Sequence, residues 1–231
     1  MGMDFKVGQC ASGLASEYVL ALDTCGAETT LALAHTQDGK LTVIREEVLG
    51  ARTAGARLTG ALGNLLGEIM PAALRAMIVV RGPGSFTGMR IGLSAAKAFS
   101  EVTGVPLIGL SRLQVMRGMY LAQSVALDAG RGHVYLRMHG GDEDTSEGQL
   151  LTVAEVQRVL AIGKNGALIV CEDRVQESFP EARRVPAPTA ADALRHGHAR
   201  LQTGDWDDAA TLDGLYLWRA EQMLGVPASS A

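Results

Sequence analysis

One motif occurs twice in this chain, and the duplication limits what it can fold into. Ala21-Leu22-Asp23-Thr24 ends one apolar run, and Leu31 follows in a second run eight residues after Asp23. Ala126-Leu127-Asp128-Ala129 ends another, and Leu136 follows eight residues after Asp128. Each copy reads as strand, aspartate, small residue, glycine-bearing turn, strand. A period near 105 residues implies a duplicated supersecondary unit. With 231 residues, there is room for one large domain or two small ones with a real core. The expected class is α/β, two units of mixed sheet plus helices, the second reduced.

Taken in order, residues 1–17 read as a flexible extension, without the apolar core of a signal peptide. Tyr18–Leu22, Thr29–Thr36 and Leu41–Val48 read as strands, with Asp38-Gly39 as the hairpin turn between the last two. Leu58, Ala61, Leu62, Leu65, Leu66 and Ile69 recur at helical spacing, so an amphipathic helix is expected over about Thr53–Met70, stopped by Pro71. Its three glycines, Gly60, Gly63 and Gly67, each weaken it by up to ~1 kcal/mol relative to alanine, which implies close packing on another element. Ala76–Val80 is a buried strand, Val105–Gly109 another, and Ser111 caps a helix running to about Gln123. The second copy continues with a strand at Val134–His139, a polar loop over Gly140–Gly148, a helix at Val153–Leu160 and a strand at Ala167–Cys171. Thr189 caps a last helix to about Leu201. The expected division is therefore 18–123, 124–205 and a C-terminal segment 206–231 packing back on the chain.

Between the strand at Ala76–Val80 and the next lies Gly82-Pro83-Gly84-Ser85-Phe86-Thr87-Gly88-Met89-Arg90, opening a helix capped by Ser85 or Thr87. A helix N-terminus after a glycine turn invites a phosphate reading. The spacing does not fit: Gly88 is followed by Met89-Arg90 rather than Lys-Ser/Thr, and Gly82, Gly84 and Gly88 give G-x-G-x-x-x-G. Gly88, Gly92, Ala96 and Ser100 stand four apart and make one small-residue ridge, which suits close helix–helix contact.

The net charge of −4 gives no basic field for nucleic acid. Cys10, Cys25 and Cys171 form no C-x-x-C pair, and an odd count of scattered thiols fits a reducing cytoplasm. No apolar run reaches the ~20 residues that span a bilayer. The acidic residues Asp142, Glu143, Asp144 and Glu147 read as a solvated loop. His196 and His198 stand two apart on a helix and so face different ways. No Ser/His/Asp or Cys/His arrangement is visible, so peptidase chemistry has no residues to run on.

GPGSFTGMRIGLSAAKAF, from Gly82 to Phe99, resembles the signature of the bacterial TsaB (YeaZ) family. The resemblance covers about Val19–Tyr135 and, partially, the ending at Leu212–Arg219, where Gly214 stands in place of the family's proline. It implies an actin-like fold, of the type shared with sugar kinases and Hsp70. It implies a non-catalytic partner and activator of TsaD, the paralogue that holds a metal and forms threonylcarbamoyladenosine next to the anticodon of ANN-decoding tRNAs. The ATPase TsaE would join through the TsaB–TsaD pair, tRNA would bind only through the complex, and the chain alone would form a homodimer, with no cofactor or metal of its own. Two departures stand out: Thr53 replaces a histidine near the start of the first helix, and Gly130-Arg131-Gly132-His133 displaces the family's arginine and glutamate.

The competing reading is an actin-like ATPase or kinase acting on its own, with Asp23, Thr24 and Asp128 at the phosphate and magnesium turns. For aspartate at such a turn the simpler role is to bond the amide two residues on. The expected partner interface comes from Leu58, Leu62 and Leu65 on the first helix and Met89, Gly92, Leu93 and Ala96 on the signature helix. On that reading, Gly92→Leu abolishes pairing and leaves a folded protein.

Overall fold

Alternating runs of strand and helix signals assemble into two five-stranded sheets of the same topology in a computed structural model that describes residues 17–50, 54–121, 123–140, 147–162 and 167–216. The first unit runs β1 (Tyr18–Asp23), β2 (Thr29–Gln37), β3 (Lys40–Leu49), α1 (Ala54–Leu66), β4 (Leu74–Val80), α2 (Phe86–Thr103) and β5 (Leu107–Leu110). Its sheet order is β3-β2-β1-β4-β5. β1–β2–β3 form an antiparallel meander, while β4 and β5 join in parallel through helical crossovers. After α3 (Arg112–Met119) the pattern repeats with β6 (Ser124–Gly130), β7 (His133–Arg137), β8 (Gln149–Thr152), α4 (Val153–Ile162), β9 (Leu168–Val170), α5 (Asp173–Ser178) and β10 (Arg183–Arg184). The order β10-β9-β6-β7-β8 is the same arrangement, with shorter strands. The fold is a duplicated, actin-like α/β fold, as the Asp23/Asp128 repeat requires. β8, α5 and β10 carry too few residues for a periodic signal, and the sequence did not place them.

Every residue of β1 from Val19 to Asp23 is buried, so both faces of the first sheet are covered. α1 and α2 pack together on one face. The other is closed by α6 (Ala190–Thr203), which crosses all five strands and sends Ala190, Ala193, Leu194 and Leu201 into the first unit's core. α3 makes the reciprocal move. Its Leu113 and Met116 pack under Val125, Leu127, Tyr135 and Ile169 of the second sheet, whose opposite face, through Ala126, Val134 and Leu136, takes α4 and α5. Each unit's final helix thus covers the other unit's sheet, and α3 and α6 meet.

α1 ends at Leu66, earlier than Pro71, because Gly67 takes a left-handed φ of +59° and Arg45 donates to the carbonyl of Leu65 at 2.8 Å. Glu17, which the sequence reading assigns to the extension, is bonded to the first sheet: its carbonyl accepts from the amide of Thr36 at 2.6 Å. The rest of that extension, Thr53, Asp142, Glu143, Asp144 and the ending Leu217–Arg219 lie outside the described residues.

Candidate functional site

β1 ends at Asp23, and the chain turns through Thr24-Cys25-Gly26. Asp23 Oδ1 accepts from the Cys25 amide at 2.7 Å, the local bond that aspartate makes at such turns. Thr24 Oγ1 donates to the carbonyl of Gly88 at 2.6 Å, and the Ser85 amide donates to the carbonyl of Cys25 at 2.8 Å. The start of α2 therefore docks on the first aspartate turn through its backbone. Glycine permits this. A Cβ on Gly88 would lie 2.0 Å from the Thr24 carbonyl oxygen, and one on Gly92 would lie 2.2 Å from Thr24 Oγ1. Gly82 takes φ +103°, in the region that favours glycine. Ser85 is the cap of α2, accepting from the Gly88 amide at 3.1 Å. Phe86, Thr87 and Arg90 face outward, with the Arg90 guanidinium 3.9 Å above the Phe86 ring.

The second turn copies the first. Asp128 Oδ1 accepts from the Gly130 amide at 2.8 Å. Two charged residues then connect the turns. Arg112, 3% exposed at the start of α3, donates from Nη1 to Glu172 Oε1 at 2.9 Å. Glu172 Oε2 accepts from the Asp128 amide at 2.8 Å. On its other side the Arg112 guanidinium lies against the first turn, with Nη2 3.4 Å from where a Gly26 Cβ would stand. Burial pushes the Asp23 carboxyl above its usual range, and the Arg112 charge followed by the Cys25 amide pull it back. Burial opposes the charge on Arg112 itself, but Glu172 and then Asp23 outweigh it, so the guanidinium holds its proton more tightly than usual. Burial, with Glu172 beside it, pushes the Cys171 thiol up to about 12.

Asp23 and Asp128 thus each bond the amide two residues on within their own turns, Thr24 bonds the Gly88 carbonyl, Asp128 Oδ2 accepts from Arg174 at 3.3 Å, and the Arg112–Glu172 pair lies between the two turns. Sequence reasoning missed Arg112 and Glu172. Each stands two residues past the end of a buried strand, β5 at Leu110 and β9 at Val170, where a charge is the one available signal, and neither has a local partner. Among the described residues no three His, Cys, Asp or Glu side chains gather as a metal site.

The residues expected at the partner interface are turned inward. Leu58, Leu62, Leu65, Met89, Gly92, Leu93 and Ala96 are all buried within the chain's own core. Each leucine is worth about 2 kcal/mol there, so these stripes face the chain's own sheet. Gly92→Leu would drive a side chain into Thr24, contrary to the expectation that it spares the fold. The faces left open are the opposite ones. Ala56, Gly60 and Gly63 of α1 and Ser94 and Ala98 of α2 are exposed, and nothing lies within 4 Å of a Cβ built on Gly60 or Gly63.

A family model described as TsaD, tRNA N6-adenosine threonylcarbamoyltransferase, matches residues 50–200. An uncharacterized protein of Mycobacterium tuberculosis is 36% identical over 124 residues, 51% of this chain and 56% of that protein. The tRNA threonylcarbamoyladenosine biosynthesis protein TsaB of Bacillus subtilis is 30% identical over 128 residues, 52% of this chain and 54% of that protein. The match thus spans about half the length of these curated relatives. YeaZ from Pseudomonas aeruginosa superposes with a TM-score of 0.67 over 87% of this chain and 100% of its own, at 22% identity, a likeness of fold.

Proposed function

This chain belongs to the TsaD-type family as one of its TsaB (YeaZ) members, and we propose that it serves threonylcarbamoyladenosine formation on tRNA as the non-catalytic partner of TsaD. TsaD would hold the metal and carry out the transfer, and this chain would bind and orient it. TsaE would engage the pair, tRNA would be reached only through the complex, and the chain alone would form a homodimer, all in the cytoplasm.

The observation that carries this reading is Arg112, bonded to Glu172 and set beside Asp23 in the cleft where an actin-like ATPase would place its nucleotide phosphates. An anionic phosphate with magnesium would have to displace an ion pair that both turns rely on. The contact surface proposed for TsaD is the outward side of α1 and α2, where Ala56, Gly60, Gly63, Ser94 and Ala98 allow a partner's helices to come close. Mixing the chain with TsaD from the same organism tests this. A heteromeric species by light scattering, with threonylcarbamoyl transfer that neither protein shows alone, supports it. ATP–magnesium binding by the isolated chain, with no complex, favours the ATPase reading instead.

A further inference from the structure

A second charged cluster lies away from the aspartate turns, where α3, β7 and α6 meet. Arg117 is in the last turn of α3. Arg137 ends β7, paired with Val125 and two residues from Tyr135, so it stands on the sheet face that α3 covers. His196 of α6 lies against Gly118, its Nδ1 2.1 Å from where a Cβ there would stand. Arg117 and Arg137 are half-buried and His196 is exposed at the rim. Arg137 Nη1 and Arg117 Nε are buried without a hydrogen-bond partner. Among the described residues the acid that faces them is Glu147, already paired with Arg81. Arg195, next to His196 on α6, is paired with Asp192.

Like charges held together out of full solvent repel more strongly than in water. Burial and the Arg117 charge disfavour the charge on Arg137, and burial, Arg137 and Arg117 hold His196 below the usual histidine range. An anion would relieve all three, and guanidinium groups match phosphate oxygens in geometry as well as charge. We propose that this cluster binds a phosphate-class oxyanion, supplied either as a free phosphate or by an RNA backbone. Such a site would stand whether or not the chain pairs with TsaD.

The test follows the His196 imidazole by NMR in chloride buffer, titrated with pyrophosphate and, separately, with a single-stranded RNA oligonucleotide lacking terminal phosphates. A saturable shift of His196, with its titration moved to higher pH, is expected from at least one; which one identifies the source. Arg137→Gln should weaken the response about tenfold, and His196→Gln at the exposed rim, read by calorimetry, should weaken binding without touching the core. Arg195→Gln should change nothing. No saturable shift with either probe, or equal affinity in the wild type and R137Q, would mean that the cluster's charge is balanced within the chain, and would overturn the proposal.

Discussion

Arg112 occupies the first position of a helix, where a long cationic side chain can normally reach water, yet it is 3% exposed and held by Glu172. Removing one member of a buried pair leaves the other uncompensated. Arg112→Met should therefore cost about 3 kcal/mol at neutral pH, the low end of the range because the Glu172 side chain is 28% exposed. The loss should depend on pH. Burial already raises the Asp23 carboxyl, and Arg112 opposes that rise. Without Arg112 the carboxyl rises further. A carboxyl raised on folding contributes stability below its unfolded value and loses it as pH climbs through the folded one. The deficit of the variant should accordingly be smaller at about pH 5 than at about pH 8 in urea melts; equal deficits would separate Asp23 from Arg112. Asp23 and Asp128 were legible in the sequence because their bonds reach only two residues on. Arg112 and Glu172 were not, because 60 residues separate them and neither belongs to a periodic pattern.

At the scale of elements, α1 and α2 each present a buried stripe and an open one, and glycines stand on both. On α2, Gly88 and Gly92 let the helix meet the Thr24 turn. On α1, Gly60 and Gly63 open onto solvent. Composition identified both helices as unusual but could not say which side of each the glycines served, because that depends on which way the helix rolls onto its sheet. The two sides predict opposite results. Gly92→Leu should destabilise the fold by more than ~2 kcal/mol through overpacking against Thr24. Gly60→Arg should stabilise α1 by up to ~1 kcal/mol, since arginine is the better helix former, and should abolish pairing with TsaD. Thermal melts beside a pairing assay distinguish them; a Gly60→Arg variant that pairs at full affinity would remove α1 from the proposed contact.

Over the whole molecule, the duplicated unit explains two sheets of one strand order, and the exchange of α3 and α6 explains how they are joined. The duplication was readable because the strand–aspartate–turn repeat is local and recurs. The exchange was not, since Leu113 or Leu194 buries equally well against either sheet and only three-dimensional packing chooses. The Arg112–Glu172 pair then lies between the two aspartate turns, one from each unit. That arrangement is the observation on which the proposed non-catalytic role rests. The most direct measurement is light-scattering size exclusion of the chain with its own organism's TsaD, coupled to a threonylcarbamoyl transfer assay on the eluted species. The account predicts a new heteromer that transfers, and no transfer by this chain alone. An unchanged elution of both proteins, with transfer by TsaD no different in the presence of this chain, would contradict it.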